Sequence, residues 1–209
     1  MRRTTVVLAL LVLAAAWLGP LPALARQSFA AHMTMHMAVV AVAAPLAALA
    51  VAMRPLDPAR FWPRLFAPLP ASMIELAVVW AWHMPVLHHA ARQGGWPLAL
   101  EQASFLAAGL LLWVAALGGD RERRAGAGVL GLLLTSMHMT LLGALFALAP
   151  RPLYPHPASV STALSPLADQ HLGGAIMLLV GGLSYLAGGL WLTAGMLRTP
   201  SIARPEASS

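Results

Sequence analysis

Residues 171–197 read HLGGAIMLLVGGLSYLAGGLWLTAGML and contain no arginine, lysine, aspartate or glutamate. An uncharged apolar run of this length is typical of a helix that crosses a bilayer, for which about 20 residues suffice. Paired glycines begin at residues 173, 181 and 188, a spacing near two helical turns that returns small side chains to one face. The stretch therefore predicts a transmembrane helix that packs closely against its neighbours.

Four earlier stretches are also long and apolar enough to span, and they run roughly from Met33 to Met53, Ala71 to Ala91, Leu98 to Leu117 and Ala125 to Ala149. Prolines and glycines separate them. Hydrophobic residues make up 59% of the 209 residues and charged residues only 10%, unlike a soluble domain. A membrane β-barrel would show alternating strands of about ten residues instead. The sequence predicts an all-α membrane protein, a polytopic bundle of about five transmembrane helices.

The N-terminus has the form of a signal peptide. Met1-Arg2-Arg3 precedes an apolar run of about 13 residues, and Ala23-Leu24-Ala25 stands where cleavage is expected. The alternative is an uncleaved anchor that forms a sixth helix. We therefore divide the chain into residues 1–25 as signal peptide or anchor, residues 26–198 as the transmembrane bundle, and residues 199–209 as a cytoplasmic tail that we expect to be disordered.

Arginine sets the predicted orientation, because basic residues concentrate in cytoplasmic loops. With an N-terminus that starts inside, the inner segments hold Arg54, Arg60, Arg64, Arg121, Arg123, Arg124, Arg198 and Arg204. The outer segments hold only Arg26, Arg92 and Arg151. The pI of about 11.5 is the expected by-product of this topology, so it gives no reason to expect nucleic acid. Membrane lipid is predicted as the surroundings from the apolar composition.

All eight histidines fall in the outer half of this topology, namely His32, His36, His83, His88, His89, His138, His156 and His171. In the segment from His32 to Met37, four potential ligands (His32, Met33, His36 and Met37) share an arc of about 140° on one helix. Imidazole and thioether suit Cu(I), and the chain has no cysteine to supply a thiolate. The alternative is that the methionines fill the core and the histidines sit at a wet interface.

Two histidines, His83 and His138, are predicted to lie within the membrane. A histidine there is costly unless it faces protein, water or a metal. The two have similar predicted depths, so a b-type haem with both as axial ligands is an alternative function. Pro85 predicts that the second span bends beside His83.

The last span is predicted to begin with a helix cap. Ser165 can cap the helix with Pro166 in its first position, which places Asp169 and His171 in the opening turns. The carboxylate of Asp169 there would favour the positive end of the helix.

Nothing in the sequence indicates an enzyme. It has no nucleotide-binding loop, no Ser-His-Asp arrangement and no outward pair of carboxylates suited to acid–base chemistry. We expect Glu75 and Glu101, near the two ends of their spans, to be hydrated and structural. The inner half of each span is nearly free of ligand residues, which disfavours a copper permease as a third function.

Several segments together resemble one family. They are His32 to Met37 with Pro45-Leu46, Arg54-Pro55-Leu56, Trp80 to Pro85, Phe105 through Trp113, Pro152 to Pro155 and Asp169 to Gly174. In this order they resemble the CtaG-like cytochrome c oxidase assembly factors associated with caa-type oxidases, over about residues 30 to 197. The resemblance implies a bacterial plasma-membrane protein that helps an oxidase acquire copper, with cytochrome c oxidase subunits as partners.

The resemblance gives weight to His32, His36, His83, Asp169 and His171. Gln102 is a departure, because a Glu-His pair is expected where this chain has Glu101-Gln102. We predict a non-enzymatic assembly factor whose mixed nitrogen and sulfur site, facing the periplasm or cell exterior, holds Cu(I) transiently and passes it to the oxidase. The predicted metal ligands are His32, His36, Met33, Met37, His83, His138, His171 and Asp169, of which His138 rests on depth alone.

Overall fold

The computed structural model describes residues 2–52, 54–55, 57–154 and 164–198, and this part of the chain contains helices and no strand. In chain order its helices are α1 (Arg2–Leu18), α2 (Leu21–Ala25), α3 (Phe29–Val51), α4 (Pro58–Phe61), α5 (Pro68–Trp82), α6 (Pro85–Arg92), α7 (Trp96–Leu117), α8 (Arg121–Ala147) and α9 (Pro166–Arg198). The predicted tail at residues 199–209 and the predicted outer histidine His156 lie outside the described residues.

Four of these helices, α3, α7, α8 and α9, are long and apolar enough to cross a membrane by length and composition. Helices α1 and α5 are shorter apolar helices. The prediction of an all-helical membrane bundle is therefore confirmed. Helix α3 begins at Phe29, four residues before the predicted start at Met33. Ser28 caps it, because its hydroxyl accepts a hydrogen bond from the amide of Ala31 at 3.1 Å.

The predicted second span is two helices, α5 and α6, rather than one bent helix. Proline has no amide hydrogen and its ring crowds the carbonyl four residues earlier, so Pro85 cannot continue α5. Met84, the residue before it, is extended. The hydroxyl of Tyr154 donates to the carbonyl oxygen of His83 at 2.6 Å and so satisfies an acceptor that the break leaves free. The break therefore fixes His83 at the C-terminal end of α5.

Glycines in α9 bring its backbone close to other helices. A Cβ atom on Gly174 would stand 2.5 Å from the amide nitrogen of Ala147 and 2.7 Å from the carbonyl oxygen of Gly143, both in α8. A Cβ atom on Gly188 would stand 2.6 Å from the ring of Trp113 in α7. Gly182 and Gly189 have open space at this position. The predicted close packing is confirmed for part of α9, and Gly182 and Gly189 face away.

Helix α1 packs against α3 in this structure. Ala9 and Ala16 are buried, and the indole nitrogen of Trp17 donates to the side-chain oxygen of Gln102 in α7 at 3.1 Å. The N-terminal segment thus covers the first part of α7. Its cleavage as a signal peptide stays a prediction.

Candidate metal centre

The position of α3 is fixed by a carboxylate from another helix. Asp169 in α9 accepts hydrogen bonds from the hydroxyl of Ser28 at 2.6 Å and from the amides of Phe29 at 2.5 Å and Ala30 at 3.3 Å. A buried carboxylate at the first amides of a helix stabilises its positive end. The sequence places Asp169 at the start of its own helix, whereas the structure uses it to cap α3, one turn before His32.

Three of the predicted ligands come together, and we call His32, His36 and His83 the histidine cluster. The ring centre of His83 lies 5.8 Å from that of His32 and 5.4 Å from that of His36. All three side chains are buried. Two come from adjacent turns of α3 and the third from the broken end of α5, so the helix cap at Asp169 and the break at Pro85 together position the cluster.

Several ring nitrogens of the histidine cluster have no hydrogen-bond partner among the described residues. Nδ1 of His83 lies 2.6 Å from the carbonyl oxygen of Val79, which can only accept, so this nitrogen carries the proton and Nε2 has the lone pair. Nδ1 of His32 lies 4.0 Å from Oε2 of Glu101. Nε2 of His32, Nε2 of His83 and both ring nitrogens of His36 are buried without a hydrogen-bond partner among the described residues. Buried unsatisfied nitrogens are costly, and these four lie on three neighbouring rings, which makes the histidine cluster a candidate binding site.

The spacing of the rings fits a shared metal ion. A metal–nitrogen bond of about 2.0 Å puts ring centres about 5.2 to 5.5 Å apart at tetrahedral or trigonal angles. The two measured distances, 5.4 and 5.8 Å, are close to this range. Within the described residues, no three histidine, aspartate or glutamate side chains already converge on a metal position. Binding of one ion by all three imidazoles would therefore require their side chains to rearrange.

Aromatic rings enclose the histidine cluster. The ring centre of Phe105 lies 4.0 Å from that of His36, and Phe146 lies 5.6 Å from His83. Phe29 and Tyr154 stack at 5.2 Å on the side of His32. This apolar enclosure keeps water away from the free nitrogens, so an ion placed there would be held by the imidazoles.

Both glutamates that we expected to be hydrated are fully buried, so that expectation is wrong. Oε1 of Glu101 has no hydrogen-bond partner in the described residues, and its Oε2 accepts from the amide of Gln102 at 3.1 Å. Oε1 of the buried Glu75 accepts a hydrogen bond from the hydroxyl of Tyr185 at 3.0 Å. The sequence could not reveal this, because side chains from distant segments reach the two sites. Trp17 of α1 bonds to Gln102 beside Glu101, and Tyr185 of α9 bonds to Glu75.

The two predicted thioether ligands lie elsewhere. A Cβ atom built on Gly173 would stand 3.2 Å from Cγ of Met33, and one built on Gly181 would stand 3.7 Å from the sulfur of Met37. Both methionines thus pack against α9, about 100° around α3 from the neighbouring histidines. His171 lies in α9 and its Nε2 donates to the carbonyl oxygen of Ala149 at 2.9 Å. The structure does not bring these three side chains into the histidine cluster.

His138 is buried but lies at a different level from His83. Ser72 and Thr135 share a hydrogen bond of 2.8 Å, and the rings of His83 and Phe146 meet at 5.6 Å. These contacts put α5 and α8 in parallel register, with His138 level with residue 75. His83 is eight residues further on, or about 12 Å along the helix. The predicted similar depth is wrong, and the two histidines are not placed to bind opposite faces of one haem iron.

A family model described as the cytochrome c oxidase caa3 assembly factor matches residues 1–199 of the chain. No curated protein and no solved structure matches it.

Proposed function

The chain belongs to the cytochrome c oxidase caa3 assembly factor family, and from this premise we propose that it binds a copper ion at His32, His36 and His83 and passes it to an oxidase subunit. The observation that carries the proposal is the set of buried imidazole nitrogens, within ring-centre distances of 5.4 and 5.8 Å, that have no partner in the described chain. Copper here is cargo, not a resident cofactor.

The ligand chemistry supports copper as the ion. Cytochrome c oxidases contain copper centres, and neutral imidazoles are good ligands for copper ions. In this proposal His83 binds through Nε2, because Val79 holds the proton on Nδ1. Oε2 of Glu101 lies 4.0 Å from Nδ1 of His32, too far for a hydrogen bond but close enough for its charge to act on that ring. The site then uses nitrogen ligands alone, without the thioethers of Met33 and Met37.

Weak and exchangeable binding suits a delivery protein. The chain has no cysteine, so no thiolate can trap copper. A copper ion held by neutral imidazoles can be passed on by replacing one ring at a time. The arginine distribution supports a site on the outer side of a bacterial plasma membrane, where an extracytoplasmic copper domain of an oxidase would receive the ion.

The test is oxidase assembly in a bacterium that carries this gene and its oxidase. A strain without the gene should make caa3-type oxidase with little copper and little activity, and wild type should restore both. His36→Ala should fail to restore them, because it removes a central ligand. His89→Ala is the matched control, since His89 is exposed and its Nε2 lies 3.1 Å from the side-chain amide nitrogen of Gln93, one turn later. Full restoration by His36→Ala at wild-type membrane levels would refute the proposal.

A further inference from the structure

A narrow cavity lies between the surface and the histidine cluster. Its walls include Arg26, Arg92, His32 and Glu101, and its volume is about 10 Å³. That is room for no more than one water molecule. The guanidinium of Arg26 lies against the turn at Gly94, where a Cβ atom would stand 2.7 Å from Nη2. Two arginines therefore line the cavity that reaches His32.

Arg92 is the inner of the two arginines and is partly buried. Its Nη1 is enclosed and has no hydrogen-bond partner in the part of the chain that the structure describes. It shares the cavity wall with His32 and Glu101. Burial lowers the pKa of Arg92 to about 10, so it is still a cation at neutral pH. A fixed positive charge thus faces a cavity that ends at a proposed metal ligand.

Such a charge has a predictable effect on a bound ion. A copper ion and a guanidinium repel each other, and in a poorly solvated site this repulsion is only weakly screened. The carboxylate of Glu101, which also lines the cavity, attracts the ion. Building on the proposed function, we propose that Arg92 weakens copper binding at the histidine cluster and thereby keeps the ion transferable to the oxidase.

The direction of the change in Cu(I) affinity distinguishes this electrostatic role of Arg92 from a purely structural one. Arg92→Gln removes the charge and should tighten Cu(I) binding by about tenfold, whereas a variant that damages the site would bind more weakly. Arg92→Lys keeps the charge and should bind like wild type. Glu101→Gln should weaken binding, and the Arg92→Gln/Glu101→Gln double variant should return close to the wild-type affinity, because the two charges oppose each other.

The measurement is competition for Cu(I) between the purified full-length protein in detergent and a coloured chelator, at two salt concentrations. Arg151→Gln is the matched control, since Arg151 is exposed and the charge change is the same; its affinity should not change. Absence of copper binding by wild type would instead refute the proposed function itself. If wild type binds copper but folded Arg92→Gln binds equally or more weakly, the role of Arg92 is refuted and the proposed function stands.

Discussion

Replacing both His32 and His36 by alanine is expected to lower the Cu(I) affinity of the purified protein by at least about 100-fold, because it removes two of three proposed ligands from an apolar enclosure. The variant leaves only two imidazoles near the site, those of His83 and His88, whose ring centre lies 5.0 Å from that of His32. Phe105 and Phe146 offer no further ligand. The measurement is an anaerobic titration in detergent against a chromophoric Cu(I) chelator, with bound copper counted after removal of the chelator.

The matched control is the Met33→Leu/Met37→Leu variant. These substitutions keep the volume and change the same two turns of α3, but they touch the side that packs on α9. Its Cu(I) affinity should remain within a few-fold of wild type. Equal binding by the histidine variant and wild type would contradict the site, and a large loss in the methionine variant would replace it with a mixed nitrogen and sulfur site.

Replacing Gly174 by alanine is expected to destabilise the bundle by about 3 kcal/mol, because overpacking against backbone cannot be relieved by a side-chain rotation. The added methyl group would meet the backbone of Ala147 and Gly143 at 2.5 and 2.7 Å. The strain would push α9 from α8 and shift Asp169, five residues earlier, from the start of α3. Thermal unfolding in detergent should show a melting temperature lower by roughly 5 to 10 °C.

Gly189→Ala is the control for this prediction, because it adds the same methyl group to the same helix in open space. Alanine favours a helix over glycine by about 1 kcal/mol, so this variant should be as stable as wild type or slightly more stable. If both variants unfold at the wild-type temperature, α9 does not pack on α8 through Gly174.

The sequence predicts the helices well because their signals are local. Apolar length and the Ser165 cap with its bond to Ala168 depend on neighbouring residues, and so does the bend predicted at Pro85, which in the structure is a break between two helices. His32 and His36 were also found from spacing along one helix. Their meeting with His83 could be inferred only as a shared level in the membrane, and the distance required the tertiary structure.

The rest of the site depends on contacts between residues that lie far apart in the chain, and local residue spacing does not predict such contacts. An arc of about 140° was wide enough to group His32 with Met33, but α3 is surrounded by other helices, so the two edges of that arc meet different partners. Asp169 and Glu101 show the same limit, because their partners lie 140 and 69 residues away in the chain. A carboxylate near a predicted helix end looks hydrated until another helix covers it.

X-ray absorption at the copper edge of the Cu(I)-loaded protein tests the central claim most directly. The histidine cluster predicts about three nitrogen neighbours at about 2.0 Å, with the outer-shell scattering of imidazole rings and no sulfur. The same spectrum should be lost in the His32→Ala/His36→Ala variant. A sulfur shell near 2.3 Å, or an imidazole spectrum that survives in that variant, would contradict the account.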